Sequence, residues 1–148
     1  DLADELDPNI RRQSEIAAED KVIEALVAEG FPQDRIERVG HLKLGFDIRA
    51  HKIADVATGE VFVKRVEVKG RLRGQPVRLT TNEWYKAAQL AETYWLYVVW
   101  DPLGDSPELV RIHNPVAKLD HAKREIVAAR FYEIPADAVQ HAASKNMG

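Results

Sequence analysis

The sequence predicts a mixed α/β domain, a central sheet with helices on both faces, and three observations carry that prediction. The stretch from Pro8 to Glu29 repeats its apolar residues at helical spacing. Two runs of strand formers, Phe46–Val56 and Val61–Lys69, flank Ala57-Thr58-Gly59-Glu60, whose Thr-Gly pair suits a tight turn. Tyr94–Trp100 is apolar at successive positions, as a strand covered on both faces must be.

The first helix begins at Asp7-Pro8, an acceptor at the N-cap followed by a proline at the first helical position. Gly30 and Pro32 stop it. At 100° per residue, Ile16, Val22, Ile23, Leu26 and Val27 share one apolar face, and Glu19 falls in its middle. A buried lone carboxylate is costly, so Glu19 either reaches water at the stripe's edge or meets a compensating group. Arg35–His41 reads as a short first strand ending at Gly40. The two longer strands then form a hairpin centred near residue 58, which sets position 47 opposite roughly position 69.

Gly70 to Pro76 reads as a loop carrying Arg71 and Arg73. Thr80 and Glu83 form a capping-box pattern that opens a second helix, with Trp84, Ala87, Ala88 and Ala91 inward. After the Tyr94–Trp100 strand, Asp101–Asp105 turns the chain and Glu108–His113 returns as a strand. Asn114-Pro115 opens a third helix, with Val116, Leu119, Ile126 and Val127 inward. A short edge strand is expected at Phe131–Ile134 and a frayed tail at Ser144–Gly148.

One unit, residues 1–148, is the domain organisation these signals support, with no repeat and no linker. The chain is long enough for a single core and too short for two ordinary ones. It is 45% hydrophobic and 30% charged, the balance of a soluble globular protein. No apolar run approaches the ~18 residues of a membrane span, and no signal-peptide pattern opens it. The absence of cysteine removes disulfides, thiolate chemistry and Cys-type zinc sites, and makes a cytoplasmic setting the default. Because Asp1 rather than Met comes first, a piece of a larger protein is expected.

The net charge of −3 argues against strong nucleic-acid binding, but its distribution does not. Residues 1–34 carry −7, residues 35–78 carry +6 and residues 79–148 carry −2. The basic excess surrounds Gly45-Phe46-Asp47-Ile48 and Val66-Glu67-Val68-Lys69-Gly70. On a strand, Glu67 and Lys69 share a face, and the hairpin brings Asp47 alongside. Two acids and one lysine at one sheet edge are a way to hold a divalent cation and orient a water. The plainer alternative is a solvated charged hairpin in which Glu67 and Lys69 form a surface ion pair worth under ~1 kcal/mol.

Taken in order, the helix, Gly-Phe-Asp-Ile, the hairpin, Glu-Val-Lys-Gly, Leu-Thr-Thr-Asn-Glu-Trp and Tyr-Trp-Leu-Tyr-Val-Val resemble the NO VEIN C-terminal domain family. That domain is similar to the PD-(D/E)XK nuclease superfamily, so the resemblance implies a restriction-endonuclease-like α-β-β-β-α-β core over roughly residues 8–115. It implies that Asp47 and Glu67 are metal-binding acids, with Glu19 as a further one, and that Lys69 is the catalytic lysine. The superfamily's proline is replaced by Phe46. The implied reaction is hydrolysis of DNA phosphodiesters with Mg²⁺, or Mn²⁺ in its place, held by Asp47, Glu67 and the Val68 carbonyl. Lys43, Arg71, Arg73 and Arg78 would contact phosphates, and Gln89 is an accessory candidate. Relatives are often fused to helicases or ATPases, some in defence proteins, so further domains of a parent chain are expected partners, with homodimerisation left open. Against this stands a non-cutting module that uses the same fold to bind nucleic acid or protein. Glu83 is read as a helix cap rather than a catalytic acid, Trp95 and Trp100 as core, and His41, His51, His113, His121 and His141 as surface residues without ligand spacing.

Overall fold

A computed structural model describes residues 7–127 and 132–146. Helix α1 (Pro8–Ala28) is followed by β1 (Ile36–Arg38), β2 (Ile48–Asp55) and β3 (Glu60–Arg71). Helix α2 (Thr81–Leu90) leads into β4 (Tyr94–Trp100) and β5 (Glu108–His113), and the described chain ends with α3 (Pro115–Leu119) and α4 (Ala136–Asn146). The five strands form one mixed sheet in the order β1-β2-β3-β4-β5; only β3 and β4 run parallel. Parallel neighbours need a crossover, and α2 provides it.

Asp7 caps α1 as expected, its Oδ1 accepting from the Asn9 N–H at 2.7 Å. The buried line of this helix is Ala18, Val22 and Leu26, whereas Ile16 and Val27 are about half exposed. The reason lies in β3. A Cβ on Gly70 would stand 2.9 Å from Ala18 Cβ and 3.4 Å from the Ser14 carbonyl oxygen. Small residues on both partners bring the helix against the strand along Ala18, and the contact line misses Ile16. Gly70 is therefore a close-approach residue inside β3, which continues to Arg71 instead of stopping there.

On the α1 side, Val22, Leu26, Phe31, Ile48, Ala50, Val66, Tyr97 and Val99 close the larger core. On the opposite face, Val39, Phe46, Ala87 and Tyr94 form a smaller one under α2 and α3. Of the expected inner face of α2, Ala87 is buried and Ala88 is exposed. A partly buried polar knot pins the far end of the sheet. The Glu29 carboxylate accepts from Lys64 Nζ at 2.6 Å, from the Tyr97 hydroxyl at 2.9 Å and from Arg111 Nε at 2.9 Å. Lys64 Nζ also lies 3.7 Å from the centre of the Trp95 ring.

Several boundaries differ from the sequence reading. The first strand is three residues long, because the chain leaves it at Gly40 in a short 3₁₀ turn. The hairpin register pairs Ile48 with Val66, two residues from the expected alignment, since the turn is centred nearer residue 57. Helix α3 ends at Leu119, which leaves Ile126 and Val127 exposed rather than inward. Residues 132–135 are not a strand and lead into α4, which the sequence reading did not anticipate; Phe131 of that expected strand lies outside the described residues, as do Met147 and Gly148.

Candidate active site

The site forms where β3 outruns β2. The β2–β3 ladder ends at Ile48–Val66, so beyond it β3 has no strand on its β2 side. Asp47 supplies the partner. Its backbone N–H donates to the Val66 carbonyl at 2.9 Å, and its Oδ2 accepts from the Val68 N–H at 2.8 Å. The carboxylate thus serves as a terminal rung of the ladder, next to Val66–Val68 rather than opposite Lys69.

On its other side β3 pairs with β4, Glu67 with Leu96 and Lys69 with Val98. Glu67 and Lys69 point to the same face, as strand periodicity requires. Glu67 is 2% exposed, an unusual burial for a carboxyl group. Lys69 Nζ lies 3.2 Å from Glu67 Oε2 and 3.0 Å from Glu83 Oε1. Glu83 reaches it from the first turn of α2, where the capping box is complete: Thr80 Oγ1 accepts from the Glu83 N–H, and Glu83 Oε1 from the Thr80 N–H at 2.8 Å. One carboxylate oxygen therefore ties the lysine of β3 to the start of α2.

The proton distribution follows. Burial pushes the Glu67 carboxyl up to about 10, with the hydrogen bond to Glu83 and the Asp47 charge adding to it and Lys69 opposing. Burial also works to raise Glu83, but hydrogen bonds from Glu67, the Thr80 N–H and Lys69 outweigh it and hold Glu83 below the usual carboxylate range. These opposite directions are those a hydrogen bond from Glu67 to Glu83 produces. Burial disfavours charge on Lys69, yet Glu67 and Glu83 prevail and raise its pKa. Behind them the buried Tyr94 hydroxyl donates to the Gly45 carbonyl at 2.8 Å, and burial and the three nearby acids keep it protonated.

These groups sit along an open groove of about 1310 Å³ between α1, the end of β3, the 78–83 segment and the 101–106 turn. Asp47, Glu67, Val68 and Lys69 line it, as do Glu19, Arg71, Arg73 and Arg78. Glu19 sits on the α1 wall with its Oε1 accepting from Arg38 at 2.9 Å, and Arg38 also holds Asp20 at 2.7 Å. Burial, with the Asp47 charge contributing, raises the Glu19 pKa despite Arg38. Arg73 is engaged with Glu108 at 2.7 Å and Asp101 at 3.6 Å, so it serves as a brace across the groove's end.

Two expected residues are elsewhere. Lys43 is exposed in the left-handed turn after Gly40–Leu42 and does not line the groove. Gln89, on the exposed side of α2, accepts from Lys86. Glu83 is the group whose place beside Lys69 the sequence reading missed. Its capping pattern was visible, but the 14-residue reach to Lys69 depends on how α2 docks.

A mixed α/β domain with one buried acid, two half-buried acids and a lysine at one end of a parallel strand pair is the class these features define. The family model described as Protein NO VEIN, C-terminal, matches residues 16–112, and the chain belongs to that family. No curated protein and no solved structure matches the chain.

Proposed function

We propose that this chain is a metal-dependent nuclease domain that hydrolyses DNA phosphodiester bonds on a PD-(D/E)XK-type, restriction-endonuclease-like core. The observation that supports it most is the meeting of Asp47, Glu67 and Lys69 on the floor of a groove with arginines in its walls. Asp47, Glu67 and the Val68 carbonyl are hard oxygen donors on one strand edge, and that donor set fits Mg²⁺, with Mn²⁺ as a substitute. Bound there, the ion would polarise the phosphate and acidify a water.

The chain's own residues supply the rest. Glu67, once ionised with its proton released to solvent, would serve as a ligand to the ion, and Glu83 is the fixed anion beside Lys69. The ammonium of Lys69, held by Glu83, stabilises charge that builds on the phosphoryl oxygens. Arg71 and Arg78 contact neighbouring phosphates and position the strand without reading its sequence. In this reading the domain serves a larger DNA-processing or defence protein that contributes a helicase or ATPase.

One observation favours a second reading, a binding module without chemistry: among the described residues, no three His, Cys, Asp or Glu side chains form a group able to hold a metal. Incubation of the purified chain with duplex plasmid DNA or single-stranded circular DNA and Mg²⁺ or Mn²⁺ separates the two. Nicking that disappears in Glu67→Ala and in Lys69→Ala is the expected result. Failure to nick, together with no heat of Mg²⁺ or Mn²⁺ binding in calorimetry, would leave the binding module.

A further inference from the structure

The groove is not built for a phosphate backbone along its whole length. Beyond the acids it is rimmed by Ile10 from α1, Leu72 after β3, Leu103 in the 101–106 turn and Ile126. These are between 44% and 59% exposed, so four large aliphatic side chains face water around one depression. Scattered exposed aliphatics are ordinary, but a set around one cleft marks a contact surface. The charge lining is mixed, for among the described residues acids outnumber cations along the groove. Glu67, on the floor, is almost wholly covered.

We infer that the groove takes a single, unpaired nucleic-acid strand, its bases packing on the aliphatic rim while Arg71 and Arg78 meet its phosphates. The proposal rests on the nuclease reading for the chemistry but on different observations for the strand form. A duplex presents phosphates outward at one charge per roughly 1.7 Å of axis, twice the density of one strand. Net acidic walls oppose that density, and leucines and isoleucines would strip water from phosphates without replacing it. A single strand exposes the faces of its bases, which apolar side chains cover favourably. Enzymes that must reach a group inside a duplex first extrude it, at a cost in unstacking. A strand already unpaired enters to the covered floor without that cost.

The test is fluorescence anisotropy of the 148-residue chain in EDTA, where no metal-dependent cutting intervenes, with a labelled oligothymidylate and a blunt duplex of equal length. The single strand should bind roughly tenfold or more tightly than the duplex, and its affinity should fall only shallowly with salt. The double variant Leu72→Ser/Leu103→Ser, with both positions already half exposed, should keep its melting temperature and lose roughly tenfold in single-strand affinity. Equal or tighter duplex binding overturns the inference, as does an unchanged double variant. Absence of binding to either polymer overturns it too and assigns the rim to a protein neighbour. Strand binding without cleavage in Mg²⁺ or Mn²⁺ keeps the inference and sinks the nuclease reading. Preferential cutting of duplex does the reverse.

Discussion

Lys69 and the N-terminus of α2 share one atom: Glu83 Oε1 accepts from Lys69 Nζ at 3.0 Å and from the Thr80 N–H at 2.8 Å. The cap that starts the helix is also the anchor that aims the lysine. Separating the two roles is a matter of choosing the substitution. Glu83→Gln keeps an amide oxygen for the Thr80 N–H and removes the charge beside Lys69. Its melting temperature should stay close to the parent's, while single-turnover cleavage slows by roughly tenfold or more with little change in KM. Glu83→Ala loses the cap as well, about 1 kcal/mol, and leaves Lys69 with Glu67 alone. If Glu83→Gln cuts at the parent's rate, the anchor has no part in the reaction.

Gly70 sets how close α1 lies to the site. A methyl group there would come within 2.9 Å of Ala18 Cβ and 3.2 Å of Pro102 Cγ, both in packed surroundings. Gly70→Ala should cost about 1–3 kcal/mol in chemical denaturation, the usual range for overpacking. Gly74→Ala is the control for general glycine effects: its Cβ would meet nothing within 4 Å, though its positive φ of 85° still strains an alanine. A Gly70→Ala midpoint equal to the parent's would show that α1 shifts freely, and that Ala18 does not hold the helix tightly against β3.

Much of this architecture is legible in the sequence alone, and the pattern of misses is physical. Capping boxes, prolines at helix starts and strand alternation are local, so α1, the hairpin, α2, β4 and β5 are read close to their observed bounds. Asp47, Glu67 and Lys69 are found together because one hairpin and a period of two bring them together. Register is missed by two residues because a turn's centre is only loosely written in its composition. Glu29 looks like the last residue of a helix, although its partners Lys64, Tyr97 and Arg111 lie 35, 68 and 82 residues away. Contacts at that range leave no periodic trace, and neither does Glu83's grip on Lys69.

The Glu29 knot is expected to act on stability and not on chemistry. Its carboxylate satisfies Lys64, which is 8% exposed at its side chain, along with Tyr97 and Arg111. Glu29→Ala leaves a buried ammonium without its anion, a change that typically costs about 3–5 kcal/mol. Urea denaturation should show a loss of that order, and the variant should cut at the parent's rate at temperatures where it remains folded. A loss under ~1 kcal/mol would mean that Lys64 finds water or its aromatic neighbours instead.

The proton on Glu67 ties stability to pH with a definite sign. In the unfolded chain the carboxyl loses its proton near the ordinary value of 4.5; in the folded chain burial and Glu83 retain it up to about 10. Between those limits the folded state binds more protons, so this group makes stability fall as pH rises, by about 1.4 kcal/mol per pH unit at most. Glu67→Gln mimics the protonated acid, still donates to Glu83 and does not titrate. Without divalent ions the variant should be more stable than the parent at about pH 8, and the difference should shrink steadily on acidification toward about pH 5. Thermal melts of both proteins across that range measure it. Mg²⁺ held at the proposed site should give the converse signature: it should raise the melting temperature of the folded parent and leave Glu67→Gln unmoved. A gap between the two proteins that stays constant with pH would place the proton elsewhere, and Glu67 would then be buried as an anion held by Lys69 instead of as the neutral donor to Glu83.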